Sequence, residues 1–149
     1  MEVEHTFLFQ EGIWNARGHY FDDTDRALPL DGMTRIMHLE TLWINEAEME
    51  IKTGDNSPIK IYNRYEIAHF KKGRNVTTWE SQNPDLGILL GQFVIVGDTI
   101  ISMCRSKNGE YSGTEIILKI DDTHYKNRGV LFKGNDKLSS WSIELSKAS

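Results

Sequence analysis

Cysteine is almost missing from this chain of 149 residues: Cys104 stands alone. One thiol excludes an internal disulfide and any multi-cysteine metal knuckle. Long apolar runs are missing as well. The longest, such as Gly87–Leu90 and Phe93–Val96, fall far short of the ~20 residues of a membrane helix. Positive charge is in deficit, with 17 Lys+Arg against 22 Asp+Glu and a net charge of −5. Phosphate binding needs concentrated Lys and Arg, so nucleic acid is not expected as the main partner. The start, Met1-Glu-Val-Glu-His5, is acidic with no apolar stretch behind it. It predicts no secretory signal, and the chain is read as cytoplasmic. There is no Gly-x-Ser-x-Gly, no phosphate loop and no dinucleotide fingerprint.

Metal-ligand spacing is also absent. His5, His19, His38, His69 and His124 lie far apart, and only His38 and His69, with Glu40 on the face of His38, could meet on neighbouring strands. Asp22, Asp23 and Asp25 miss the calcium-loop pattern and read as a solvated turn. Asn75-Val-Thr77 is a glycosylation sequon without a route to the secretory pathway. Neither a metal nor a cofactor is expected. What remains is ordinary globular chemistry, 39% apolar and 26% charged, which excludes disorder. The length fits one domain over residues 1–149.

Turn signals run from end to end, at Thr53–Pro58, Lys72–Arg74, Asn83–Gly87, Gly97-Asp98, Asn108-Gly109, Asp121–Thr123 and Gly134–Asp136. The runs between them are rich in β-branched and aromatic residues, which fit a pleated surface. They predict strands at Gly12–Phe21, Thr34–Trp43, Ala47–Lys52, Ile59–Lys71, Asn75–Ser81, Leu89–Val96, Thr99–Ser106, Tyr111–Asp121, His124–Lys133 and Leu138–Leu145. Only Leu42–Met49 carries good helix formers, enough for a short turn. An antiparallel meander of about ten strands hides its edges by closing into a barrel. The fold class is all-β, an up-and-down barrel.

Two-residue turns fix register, because cross-strand partners share a face. A turn at Gly97-Asp98 pairs Val96 with Thr99, Val94 with Ile101, Gln92 with Met103 and Leu90 with Arg105. A turn at Asn108-Gly109 adds Ser112, Thr114, Ile116, Leu118 and Ile120 to that face. One at Asp122-Thr123 adds Tyr125, Asn127, Gly129 and Leu131. The opposite face collects Glu115, Lys119, Lys126 and Arg128, so the first set is expected inside. Arg105 then either binds inside or snorkels to solvent from a strand end. Cys104 falls on the expected outer face as a structural thiol. Leu89, Phe93, Ile95, Ile100 and Ile117 fall there too, an apolar stripe that predicts a homodimer.

Phe7-x-x-x-x-Gly12-Ile-Trp14, followed by Ala16, Gly18 and Tyr20, resembles the opening of the lipocalin and fatty-acid-binding (calycin) group. Asp121-Asp-Thr-His-Tyr125-Lys-Asn is similar to that group's turn before a late strand, in a different residue order. The resemblance implies a lipocalin-like barrel in which Gly12 and Trp14 close one end and Phe21–Gly32 lids the other. The carboxyl-terminal Arg-x-Tyr clamp of the fatty-acid-binding members is absent, and the last His, His124, stands at a turn.

The expected function is binding of a small apolar or amphipathic molecule, with Gln92, Met103, Arg105, Thr114, Tyr125 and Trp141 lining the site. Arg105 would grip an anionic head group through its planar fork. Two alternatives stay open. One is an isomerase or lyase in the same barrel, with Tyr125 or Glu80 as acid or base. The other is an interaction module with a packed interior and a sticky outer stripe.

Overall fold

The computed structural model describes residues 3–55 and 57–148. Ten strands follow one another: β1 (Gly12–Phe21), β2 (Ala27–His38), β3 (Trp43–Ile51), β4 (Ile59–Ile67), β5 (Val76–Asn83), β6 (Gly87–Val96), β7 (Thr99–Ser106), β8 (Tyr111–Asp121), β9 (His124–Lys133) and β10 (Asp136–Lys147). Each pairs antiparallel with its neighbours in sequence, and β1 pairs with β10 to close the barrel. No helix long and apolar enough to cross a membrane occurs among the described residues. The all-β barrel expected from turn spacing is the fold.

Several boundaries differ from expectation: β4 ends at Ile67 rather than Lys71, β5, β6 and β10 shift by one or two residues, and the first third of the barrel departs further. The segment Phe21–Gly32 is not a lid. Its second half is the start of β2, paired with β1 as Phe21↔Ala27 through Ala16↔Gly32, and the connection shrinks to a tight turn. Asp22 holds that turn by accepting from the Thr24 and Arg26 N–H groups and the Thr24 hydroxyl. These bonds keep its carboxyl below the ordinary range, the Arg26 N–H contributing most. The strand expected over Thr34–Trp43 breaks at a turn closed by Leu39 N–H to Leu42 O, 2.9 Å. Leu42–Met49 supplies β3 rather than a helical turn, because Asn45, Ala47 and Met49 alternate inward with Glu46 and Glu48 outward. The Thr53–Pro58 turn includes Asn56, which lies outside the described residues, as do Met1 and Glu2 of the acidic start.

The pairings derived for the β6–β7 and β7–β8 turns all occur, from Val96↔Thr99 to Leu90↔Arg105 and from Arg105↔Ser112 to Thr99↔Leu118. The β8–β9 turn departs. Asp121 pairs with His124, but Lys119, not Ile120, pairs with Tyr125. Ile120 is thus the extra residue of a β-bulge, and a one-residue slip exchanges the faces of everything beyond it. Tyr125 and Asn127 do point inward, yet on β6–β8 the inward set is the opposite of the expected one. Leu89, Phe93, Ile100 and Ile117 are 7%, 5%, 0% and 2% exposed, and Ile95 packs against them. They are core, so the homodimer stripe expected there does not exist as a surface. Leu90, Met103 and Ile116 are exposed instead.

One end of the barrel is closed by a strap, residues 5–9, lying across it. Tyr125, fully buried, pins the strap. His5 Nε2 bonds Gly97 O at 2.9 Å, and this carbonyl can only accept. That leaves His5 Nδ1 to accept from the Tyr125 hydroxyl at 2.8 Å. The same hydroxyl accepts the N–H groups of Thr6 (3.1 Å) and Phe7 (3.3 Å). The Thr6 hydroxyl donates to Asp122 O, and His38 Nε2 to Leu8 O. Phe7 and Tyr125 meet the edges of the buried Trp14 indole at 5.5 Å. Phe9 packs on Trp43 and Phe70. Tyr125→Phe removes the hydroxyl from three partners and leaves buried donors unsatisfied. It should lower unfolding free energy by about 1–3 kcal/mol. Urea denaturation should show this, with faster proteolytic clipping before Gly12.

Candidate functional site

Above the strap the inward faces leave a cavity of about 360 Å³. Its floor is Phe7, and its apolar walls include Leu30, Met49, Leu89, Phe93, Ile117 and Ile143. Tyr20, Asp85 and Leu86 also line it, at the end opposite the strap, where β1 ends and the β5–β6 turn lies. Two tryptophans shape the sides, each lying over a glycine on the paired strand: Trp79 over Gly91 and Trp141 over Gly129. A Cβ at either glycine would come within 2.1 Å of the indole ring. The absent side chain is therefore what lets the ring lie flat against the wall.

The chemistry centres on Glu115 of β8. Its side chain is half-buried and lines the cavity. Trp141 Nε1 donates to its Oε2 at 3.0 Å and lies 3.1 Å from Asn127 Oδ1. Burial pushes the Glu115 carboxyl up, against the bonds from Asn127 and Trp141 that hold it down. Tyr65 and Cys104 lie near enough to feel it. Burial first, then the Glu115 charge, raises the Tyr65 phenol and the Cys104 thiol. Thr34 bonds Asn45 within the wall, and neither Trp14 Nε1 nor Trp79 Nε1 finds a hydrogen-bond partner among the described residues. Among the described residues the lining holds two carboxylates, Glu115 and Asp85, and no Lys, Arg or His.

The residues expected to form the site separate. Trp141 lines the cavity, and Thr114 touches it from the β8 wall while sharing the outer face with its partner Met103. Tyr125 lies outside the lining, its hydroxyl committed to the strap. Gln92, Met103 and Arg105 face solvent, because the Ile120 bulge reverses the expected parity. Arg105 therefore grips nothing inside. Glu80, the other acid–base candidate, is exposed on β5. Gly12 begins β1, and Trp14 is buried beneath the strap. Cys104 turns from the expected outer face to the wall. His38 stacks on Trp43 at 4.1 Å while His69 bonds Leu39 O, and no group of metal-binding side chains forms among the described residues. Glu115 escaped sequence reasoning because it was grouped with Lys119, Lys126 and Arg128. The available signal was its place between Gly113 and Ile117 in an alternating run.

Neither a family model nor a curated protein sequence matches the chain. Its fold is similar to that of the S-type phycobiliprotein lyase CPES from Guillardia theta. The TM-score is 0.70 at 12% identity, over 100% of this chain and 94% of that one. A putative AttH from Nitrosomonas europaea aligns with a TM-score of 0.30 at 9% identity, over 91% of this chain and 49% of that one. The first likeness shows a lipocalin-like barrel; the second carries no argument.

Because burial raises the Glu115 carboxyl, the folded protein holds that proton where the unfolded chain has released it. Stability from this group is therefore full in acid and declines as pH rises through the raised value. Glu115→Gln keeps an acceptor for Trp141 and cannot ionise. The difference in Tm, variant minus wild type, should grow as pH rises from below the ordinary carboxylate value through the raised one. A difference independent of pH would mean that the carboxylate is solvated.

Proposed function

We propose that the barrel binds one small, largely apolar molecule that is neutral or carries N–H donors, seated against Glu115. The observation that carries this reading is a carboxyl group facing an apolar cavity that no cation lines. Ligand sites combine apolar walls with a few placed polar groups, and here the placed group accepts hydrogen bonds. A pyrrole-type or amide N–H suits it. An anionic head group does not, since it would meet Glu115 and Asp85 with Arg105 on the far side of the wall. The fold likeness to a phycobiliprotein lyase supports a barrel that handles a small molecule.

A second reading, a lyase or isomerase, draws on the same carboxyl. A buried acid with a raised pKa holds its proton to higher pH than a solvated carboxyl does and can lend it to a bound substrate. Chemical change in a bound compound, followed by mass, separates this reading from simple binding.

Nile red, a neutral probe, should bind saturably and quench tryptophan emission. Dodecanamide should displace it at roughly tenfold lower concentration than dodecanoate, a difference of about 1.4 kcal/mol. Glu115→Gln should narrow that ratio. Equal displacement by amide and carboxylate would reject the reading, as would no binding at all.

A further inference from the structure

The barrel wall is not uniformly laced. Neighbouring strands share seven to ten paired positions everywhere except between β4 and β5. There the ladder holds two, Glu66↔Glu80 and Ile67↔Trp79, with Ala68 N–H to Thr78 O beyond them. Continued at the same register, Asn63 would pair with Asn83. Instead the backbones part, and only the side chains meet, Asn83 Nδ2 donating to Asn63 Oδ1 at 3.4 Å. From the hinge at Tyr65 and Trp79, whose rings meet edge to face at 4.9 Å, the seam widens toward the end opposite the strap.

Both lips of this seam line the cavity: Ile61, Asn63 and Tyr65 on one side, Trp79, Asn83 and Leu86 on the other. Elsewhere, parting two strands means breaking a ladder of backbone hydrogen bonds. Here the edge N–H and C=O groups have no ladder partner and need water, so widening the seam displaces water and breaks one long side-chain bond. The Asn83 side chain also caps the β5–β6 turn, its Oδ1 accepting from the Asp85 and Leu86 N–H groups at 2.9 and 3.0 Å. The latch and the turn thus move as one piece. The strap end offers no such route, because the strap is pinned by Tyr125 and packed with aromatic rings.

We propose that the β4–β5 seam is the ligand's lateral doorway, latched by Asn63 and Asn83, and that it suits flat, elongated molecules able to pass edgewise between two strands. The proposal rests on the ligand-binding reading above. Its test bridges the seam from outside: Arg64→Cys with Gln82→Cys, both exposed and outward, joined by a short bis-maleimide. The control is the same bridge across the intact β1–β10 ladder, from Arg17→Cys to Glu144→Cys.

In stopped-flow mixing with Nile red, the seam bridge should slow association and dissociation alike by about tenfold or more, with Kd changed less than about twofold, as expected of a gate that favours neither state. The control bridge should leave both rates unchanged, and Asn63→Ala should raise both. Unchanged rates with the seam bridged, or equal slowing by the control, would overturn the doorway while leaving the binding site intact. Failure of the unbridged protein to bind Nile red would instead remove the binding reading on which it stands.

Discussion

One unpaired residue sets the contents of this barrel. Ile120 interrupts the β8–β9 ladder, and because side chains alternate with a period of two, the interruption decides which half of each neighbouring strand faces in. With it, Tyr125 comes to lie under the strap while Glu115 and Asn127 share the cavity with Trp141. Without it, Tyr125 and Asn127 would share a face with Arg105, Met103 and Gln92 instead of with Phe93 and Ile117. The closed end, the polar anchor and the apolar core all follow from that parity.

The interior this creates is unlike a packed core. Tyr65, Cys104 and Glu115 are all held on the protonated side of their ordinary range, chiefly by burial. Each of the three ionises less readily here than it would in water, and each can still take part in hydrogen bonds. A buried polar group is costly unless paired. Trp141 and Asn127 provide part of that pairing for Glu115, and the open space beside it leaves room for more. The cost of burying this carboxyl and the hydrogen-bonding capacity of the cavity therefore reside in one group.

The architecture was legible from turn chemistry. Asn108-Gly109 and Gly97-Asp98 set two hairpin registers correctly because two-residue loops leave little freedom. Residue spacing also marked all ten strands, with errors of boundary where Leu28, Leu30 and Asp31 read as a loop but extend β2. The site was far less legible. A bulge has no composition of its own, so Asp122-Thr123 looked like another tight turn and carried Tyr125 to the wrong neighbours. Glu115 was sorted by charge to the solvent side, although the fold buries it with two donors. The strap was invisible for another reason: His5 and Phe7 find Tyr125 across some 120 positions of sequence, and no local pattern reports such a partner.

The β1–β10 ladder, Trp14↔Lys147 through Phe21↔Ser140, has a temporal consequence. Each earlier hairpin can form as soon as its two strands leave the ribosome, but the wall cannot become a ring until the final strand arrives to meet the first. Until then β1 carries an unpaired edge, with the apolar inner faces of the growing sheet exposed beside it. Pairings of such sequence separation form slowly, and open edges invite association between chains. Synthesis of this protein therefore passes through a curved, half-built sheet whose vulnerable interval lasts as long as translation of the remaining strands.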